Sequence, residues 1–219
     1  MFEGSSPQNY EQKCLCVLVL DISGSMQGEP INELNKGLQE FHREISNDIV
    51  ASQRLETSIV TFGSSVQCIQ EPALVHNFQM PILSTNGSTK LVDGVKMAME
   101  LIENRKNWYK ETGQNYYRPM IVLITDGEPD VDQDINGLSK EVAFGIANKK
   151  FTFYSLGVSG YNHQKLAQIC SNPSPLPLNR YEFAQFFKWL SSSISVITKS
   201  KEGEVLQLPS ISGWTQITV

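Results

Sequence analysis

The chain has 219 residues, 40% of them hydrophobic and 19% charged, with a formal net charge of −5 and a pI near 5.3. That length and apolar content suffice for one sizeable core. The acidic balance argues against a nucleic-acid or anionic-membrane surface and in favour of a protein partner.

In chain order, residues 1–12 form a polar lead without the features of a secretory signal, and the apolar run that follows is cut short by Asp21, too early for a membrane span. A cytoplasmic location is the expectation. Residues 15–20 are nearly all apolar, the pattern of a central strand covered on both faces. A helix follows with Pro30 in its first turn and Ile31, Leu34, Leu38, Phe41 and Ile45 on one stripe. Residues 57–62 read as the next strand, Gly63, Ser64 and Ser65 as a turn, and residues 66–70 as a return strand pairing antiparallel at a sheet edge. After a loop containing Pro72, Pro81 and Gly87, a second amphipathic helix carries Leu91, Val95, Ala98 and Ile102. Pro119 introduces a short apolar strand over 120–124, where a proline at the strand's beginning is tolerable. A weaker helix over 134–150, a strand over 151–156, a helix over 164–170, a short edge strand over 176–178 and an apolar-faced helix from Phe183 to Ile197 complete the pattern.

Strands alternating with covering helices imply parallel pairing through right-handed crossovers. The expected class is α/β, a doubly wound and mostly parallel Rossmann-like sheet with one antiparallel edge strand and helices on both faces. The domain is expected over residues 13–200. The extension 201–219 mixes apolar residues with turn formers, and either folds back over its own domain or presents Trp214 to a partner.

Ligands of such sheets sit beyond the carboxyl ends of the strands, where strand order reverses. Three clusters of oxygen donors fall at that edge: Asp21, Ser23 and Ser25 after the first strand, Thr89 at the head of the second helix, and Asp126 after the strand at 120–124. Carboxylate and hydroxyl ligands without sulfur or imidazole point to magnesium or manganese. Without a metal, the same Asp and Ser residues would cap a helix or make a tight turn. Glu29, Glu128, Asp130, Asp132 and Asp134 lie near the same edge, either as a solvated acidic loop or as groups that tune the metal, hold an adjacent cation or set partner charge. His42, His76 and His163 lack paired ligand spacing and read as surface or loop residues. Cys14, Cys16, Cys68 and Cys170 read as small thiols rather than disulfides or zinc ligands. Trp108, Tyr109, Tyr116 and Tyr117 gather around a polar linker, packed on the domain or exposed as an interface.

The run Asp21-Ile22-Ser23-Gly24-Ser25, with Thr89 and Asp126 in later loops, resembles the metal-ion-dependent adhesion site of the von Willebrand factor A (vWA) domain family in residue type and order. The resemblance spans roughly residues 13–200. Within the family, VLDISGSMQGEPI and ITDGEPD are most similar to bacterial cytoplasmic members of the TerY type. One departure is Ser88 before Thr89, where the family commonly has paired glycines.

The resemblance implies a magnesium ion, with manganese or calcium as alternatives, held by the Ser23 and Ser25 hydroxyls, by Thr89 directly or through water, and by Asp21 and Asp126 in either manner. It also implies an open position that accepts an Asp or Glu carboxylate from a protein partner, so a binding module rather than an enzyme. The TerY likeness further implies an adaptor in bacterial stress, tellurium-resistance or signalling systems, alongside a protein kinase and a PP2C-type phosphatase. One rival reading is a metal-dependent hydrolase or phosphatase, for which no nucleophile or base is in view beside the metal and no G-x-S-x-G elbow exists. Another is a subunit docking onto an ATPase complex, with any ATP hydrolysis belonging to the partner because the chain has no Walker motif.

Overall fold

Eight consecutive buried residues, Cys14–Asp21, make β1 the centre of the sheet. Its even-numbered side chains, Cys14, Cys16, Leu18 and Leu20, enter one apolar cluster, while Leu15, Val17 and Val19 enter another on the opposite face. A strand buried on both sides has no polar alternation, which is why this run is uniformly apolar. The computed structural model describes residues 6–158, 160–178 and 183–200; the extension at 201–219 lies outside the described residues.

After β1 come α1 (Glu29–Asn47), α2 (Ala51–Arg54), β2 (Leu55–Phe62), β3 (Val66–Leu74), α3 (Leu91–Thr112), β4 (Met120–Thr125), α4 (Ile135–Ala147), β5 (Thr152–Val158), α5 (His163–Ile169), β6 (Leu176–Leu178) and α6 (Phe183–Lys199). The strands form one sheet in the order β3-β2-β1-β4-β5-β6. All neighbours are parallel except the antiparallel β2–β3 pair at the edge. This is the expected α/β class, and the chain reverses direction across the sheet between β1 and β4.

Helices α1 and α6 cover one face, their apolar stripes meeting where Phe41 packs on Phe187 at 5.5 Å between ring centroids. Gly37 permits this closeness, because a Cβ there would stand 2.7 Å from the Phe187 ring. Helices α3, α4 and α5 bury Val95, Val142 and Leu166 against the other face. Among the described residues, no helix is long and apolar enough to cross a membrane.

Three local expectations change. Pro72 belongs to β3 rather than to a loop, and the strand runs on to Leu74. The ladder shifts register between Thr57 and Ile59, so Pro72 occupies an edge-strand irregularity where a missing N–H costs little. Helix α3 continues to Thr112, placing Trp108 and Tyr109 on a buried helical face instead of in a linker. The weaker helix stops at Ala147, three residues short of the expected end.

Candidate metal centre

The reversal between β1 and β4 opens a crevice at the strands' carboxyl ends, and three loops meet there. The first leaves β1 at Asp21 and closes at once into a single 3-10 turn, Gly24–Met26. The Asp21 carboxylate shapes that turn: Oδ1 accepts a hydrogen bond from the Ser23 N–H at 2.7 Å. Its Oδ2 accepts from the Thr125 hydroxyl at 2.5 Å, which ties the end of β1 to the end of β4.

A chain of oxygens leads from the crevice floor to its mouth. Ser23 Oγ and Ser25 Oγ are 3.0 Å apart, and the Ser25 hydroxyl donates to Asp126 Oδ1 at 2.7 Å. Asp21 and Ser23 are buried, Ser25 is exposed and Asp126 is partly exposed. Thr89 joins this group beside Gly127: a methyl placed on Gly127 would lie 3.7 Å from both Thr89 Oγ1 and Ser25 Oγ. All five expected residues therefore converge on one crevice.

The second loop is held from both sides. Gly24 N–H donates to the Gly87 carbonyl at 2.9 Å and Asn86 N–H to the Ile22 carbonyl at 2.5 Å, fixing its beginning to the first loop. Gly87 has a φ of 66°, and a Cβ there would fall 1.6 Å from Ser64 Oγ, so this corner requires glycine. Ser88, the departure from paired glycines, donates its backbone N–H to Ser64 Oγ at 3.1 Å.

The electrostatics favour a cation. Burial pushes the Asp21 carboxyl up to about 6, against the opposing hydrogen bonds from Ser23 and Thr125, and the neighbouring Asp126 pushes it further the same way. Burial also raises Asp126, with the Ser25 hydroxyl opposing. Among the described residues, no Lys, Arg or His forms a salt bridge with either carboxylate. No group of three or more His, Cys, Asp or Glu side chains with metal-holding placement occurs among them either, so hydroxyls or water would complete the shell of a cation here. Two carboxylates and three neutral hydroxyls suit a hard divalent ion, and this donor set fits magnesium or manganese.

The surrounding acidic residues divide by role. Glu128 pairs with Lys165 and accepts from Asn162 Nδ2 at 2.7 Å. Asp134 caps α4 by accepting from Gly137 N–H at 2.8 Å. Asp130 bonds to the backbone of Thr89. These contacts, together with the Thr125 hydroxyl and Gly127, went unrecognised in the sequence, where only a loop rich in carboxylates was legible. His163 starts α5 near this edge, but its Nδ1 pairs with the Tyr161 hydroxyl at 3.0 Å. His42 sits on α1 against the Val75 and Phe78 carbonyls.

The family model for the von Willebrand factor type A domain matches residues 16–192. Inter-alpha-trypsin inhibitor heavy chain H1 of Mesocricetus auratus is 28% identical over 150 residues, covering 64% of this chain and 15% of that protein. The chain thus spans a small part of the curated relatives it matches. Among solved structures, the pilus adhesin SpaC of Lactobacillus rhamnosus GG in its open conformation superposes with a TM-score of 0.68 at 14% identity, over 88% of this chain and 31% of that one. The vWF domain of the type V pili tip protein Mfa5 from Porphyromonas gingivalis gives 0.63 at 11% identity, over 89% and 99% respectively. Likeness at such identities speaks for the fold.

Proposed function

The chain belongs to the von Willebrand factor type A domain family, a family of protein-interaction modules, and from that premise we propose that Asp21, Ser23, Ser25, Thr89 and Asp126 hold a divalent cation through which the protein binds an acidic side chain of a protein partner. One observation carries this reading: two carboxylates raised by burial share a crevice with three hydroxyls, and among the described residues no cationic side chain forms a salt bridge with either. When bound, magnesium supplies an electrophilic position for a carboxylate ligand. Asp21 and Ser23 form the floor, Ser25 and Asp126 the accessible mouth, and Thr89 the side wall.

The reading is that of a binding module rather than a hydrolase. It rests on the character of the family as protein-interaction modules. Service as a TerY-type adaptor alongside a protein kinase and a PP2C-type phosphatase rests on the motif resemblance around Asp21 and Asp126. A cytoplasmic setting is supported by four free cysteines, three of them buried.

The test is a pull-down from host lysate in magnesium and in chelator, using the wild type and Ser25→Ala. The expected result is a protein retained only by wild type in magnesium, and lost when one of its own Asp or Glu residues is changed to the amide. Capture that is equal in chelator and by the variant contradicts the proposal.

A further inference from the structure

The loop after β4 grips the Thr89 segment at two points. Asp130 N–H donates to the Thr89 carbonyl at 3.1 Å, and Asp130 Oδ1 accepts from the Thr89 N–H at 3.1 Å, so one residue satisfies both backbone groups of Thr89. One turn further on, Gln133 Oε1 accepts from the N–H groups of Val92 and Asp93 at 2.9 and 3.3 Å, and its Nε2 donates to Asp93 Oδ2 at 3.2 Å. Those are first-turn donors of α3, which lack partners inside the helix.

We propose that Asp130 is a positioning residue for the cation site: its paired bonds to Thr89, reinforced by Gln133 at the start of α3, hold the Thr89 hydroxyl in register with Asp126. This inference rests on the metal-site reading above. Asp130 and Asp126 leave the same strand end four residues apart, so the clamp makes the second and third loops one unit. Residues 86 and 87 are bonded instead to the first loop through Ile22 and Gly24. Gly87 takes a positive φ between these attachments, and Ser64 bridges both sides of it, donating its N–H to the Asn86 carbonyl and accepting from the Ser88 N–H at Oγ. Thr89 therefore cannot shift relative to Asp126 without straining or breaking the Asp130 pair. The bond to Thr89 uses Oδ1 as an acceptor, a role that the carbonyl of an amide can fill, so Asp130→Asn separates hydrogen bonding from charge.

Manganese affinity of the full chain, measured by electron paramagnetic resonance, separates the roles when wild type, Asp130→Ala, Asp130→Asn and Gln133→Ala are compared. Thermal unfolding of each in chelator serves as the folding control. Asp130→Ala is expected to bind about 10–100-fold more weakly, as outer groups that orient metal ligands typically do. Asp130→Asn should stay within about threefold of wild type because it keeps the acceptor, and Gln133→Ala should weaken binding in the same direction as Asp130→Ala. Wild-type affinity in Asp130→Ala overturns the clamp, and so does an Asp130→Asn as weak as the alanine variant, which would make the charge the active element. A wild-type chain that binds no manganese overturns the metal reading itself, and this inference with it; the other two results overturn only the clamp.

Discussion

Asp21→Asn will make the metal-free protein more stable while abolishing its response to divalent cations. Asp21 is fully buried, and burial raises its carboxyl to about 6, above the ordinary value of about 4 for an unfolded chain. A carboxyl whose folded pKa is raised binds its proton more tightly in the folded state. Its stabilising contribution is complete below about pH 4 and is lost as the pH rises to about 6. At neutral pH the ionised Asp21 therefore costs about 3 kcal/mol, about two pH units at about 1.36 kcal/mol each.

Asparagine removes that cost without dismantling the turn. Its carbonyl still accepts from the Ser23 N–H, and its amide can donate to Thr125 Oγ1, where the wild-type carboxylate accepts. In chelator at neutral pH the variant should melt roughly 6–12 °C higher than wild type, and the gap should close as the pH falls below the Asp21 titration. Magnesium should raise the wild-type melting temperature through linkage and leave the variant unchanged. A variant less stable in chelator, or one with the same pH profile as wild type, contradicts this account.

Arg105→Ala should be the most damaging single change remote from the crevice. Glu56 at the start of β2 and Arg105 on α3 are 3% and 7% exposed. Arg105 grips the carboxylate with Nε to Oε2 at 2.7 Å and Nη2 to Oε1 at 2.6 Å, and Tyr109 Oη donates to the same Oε2 at 2.5 Å. The guanidinium also lies 3.8 Å from the Trp108 ring centroid. Alanine leaves a buried carboxylate with only the Tyr109 hydroxyl as a direct partner and the charge of Lys13 nearby, a loss of about 3–5 kcal/mol, or a fall of roughly 10 °C in melting temperature. Replacing both charges at once, with Glu56→Gln and Arg105→Met, should recover most of it, because Tyr109 keeps an acceptor, no carboxylate is left unpaired, and Lys13 keeps its bonds to Asn9 and Glu11. Equal loss in the single and double variants would show that packing on Trp108, not charge pairing, carries the stability.

What the sequence made legible follows from which forces leave a periodic signature. β1 could be read because burial on both faces demands an unbroken apolar run, and α1 because Ile31, Leu34, Leu38, Phe41 and Ile45 all face α6 or the sheet. The five oxygen donors could be placed at one edge because parallel topology sends every strand's carboxyl end to the same side. The Glu56–Arg105–Tyr109 cluster was invisible for the opposite reason. Its members look like a strand's polar margin and a helix's charged end, and only tertiary packing makes them partners across 49 and 53 positions. Pro72 read as a loop because propensity does not know that β3 is an edge. Asp130 and Asp134 read alike as acidic loop residues, yet one clamps Thr89 and the other caps α4, a distinction set by backbone direction alone.

A divalent cation held by these three loops can be seen by titrating the full chain with manganese and following the free-ion paramagnetic resonance signal, for wild type and Asp21→Asn in parallel. The expected outcome is saturable loss of the free signal in wild type, its return on adding magnesium, and no loss in the variant. A wild-type chain that leaves the free signal untouched, or binding that persists in Asp21→Asn, would contradict it.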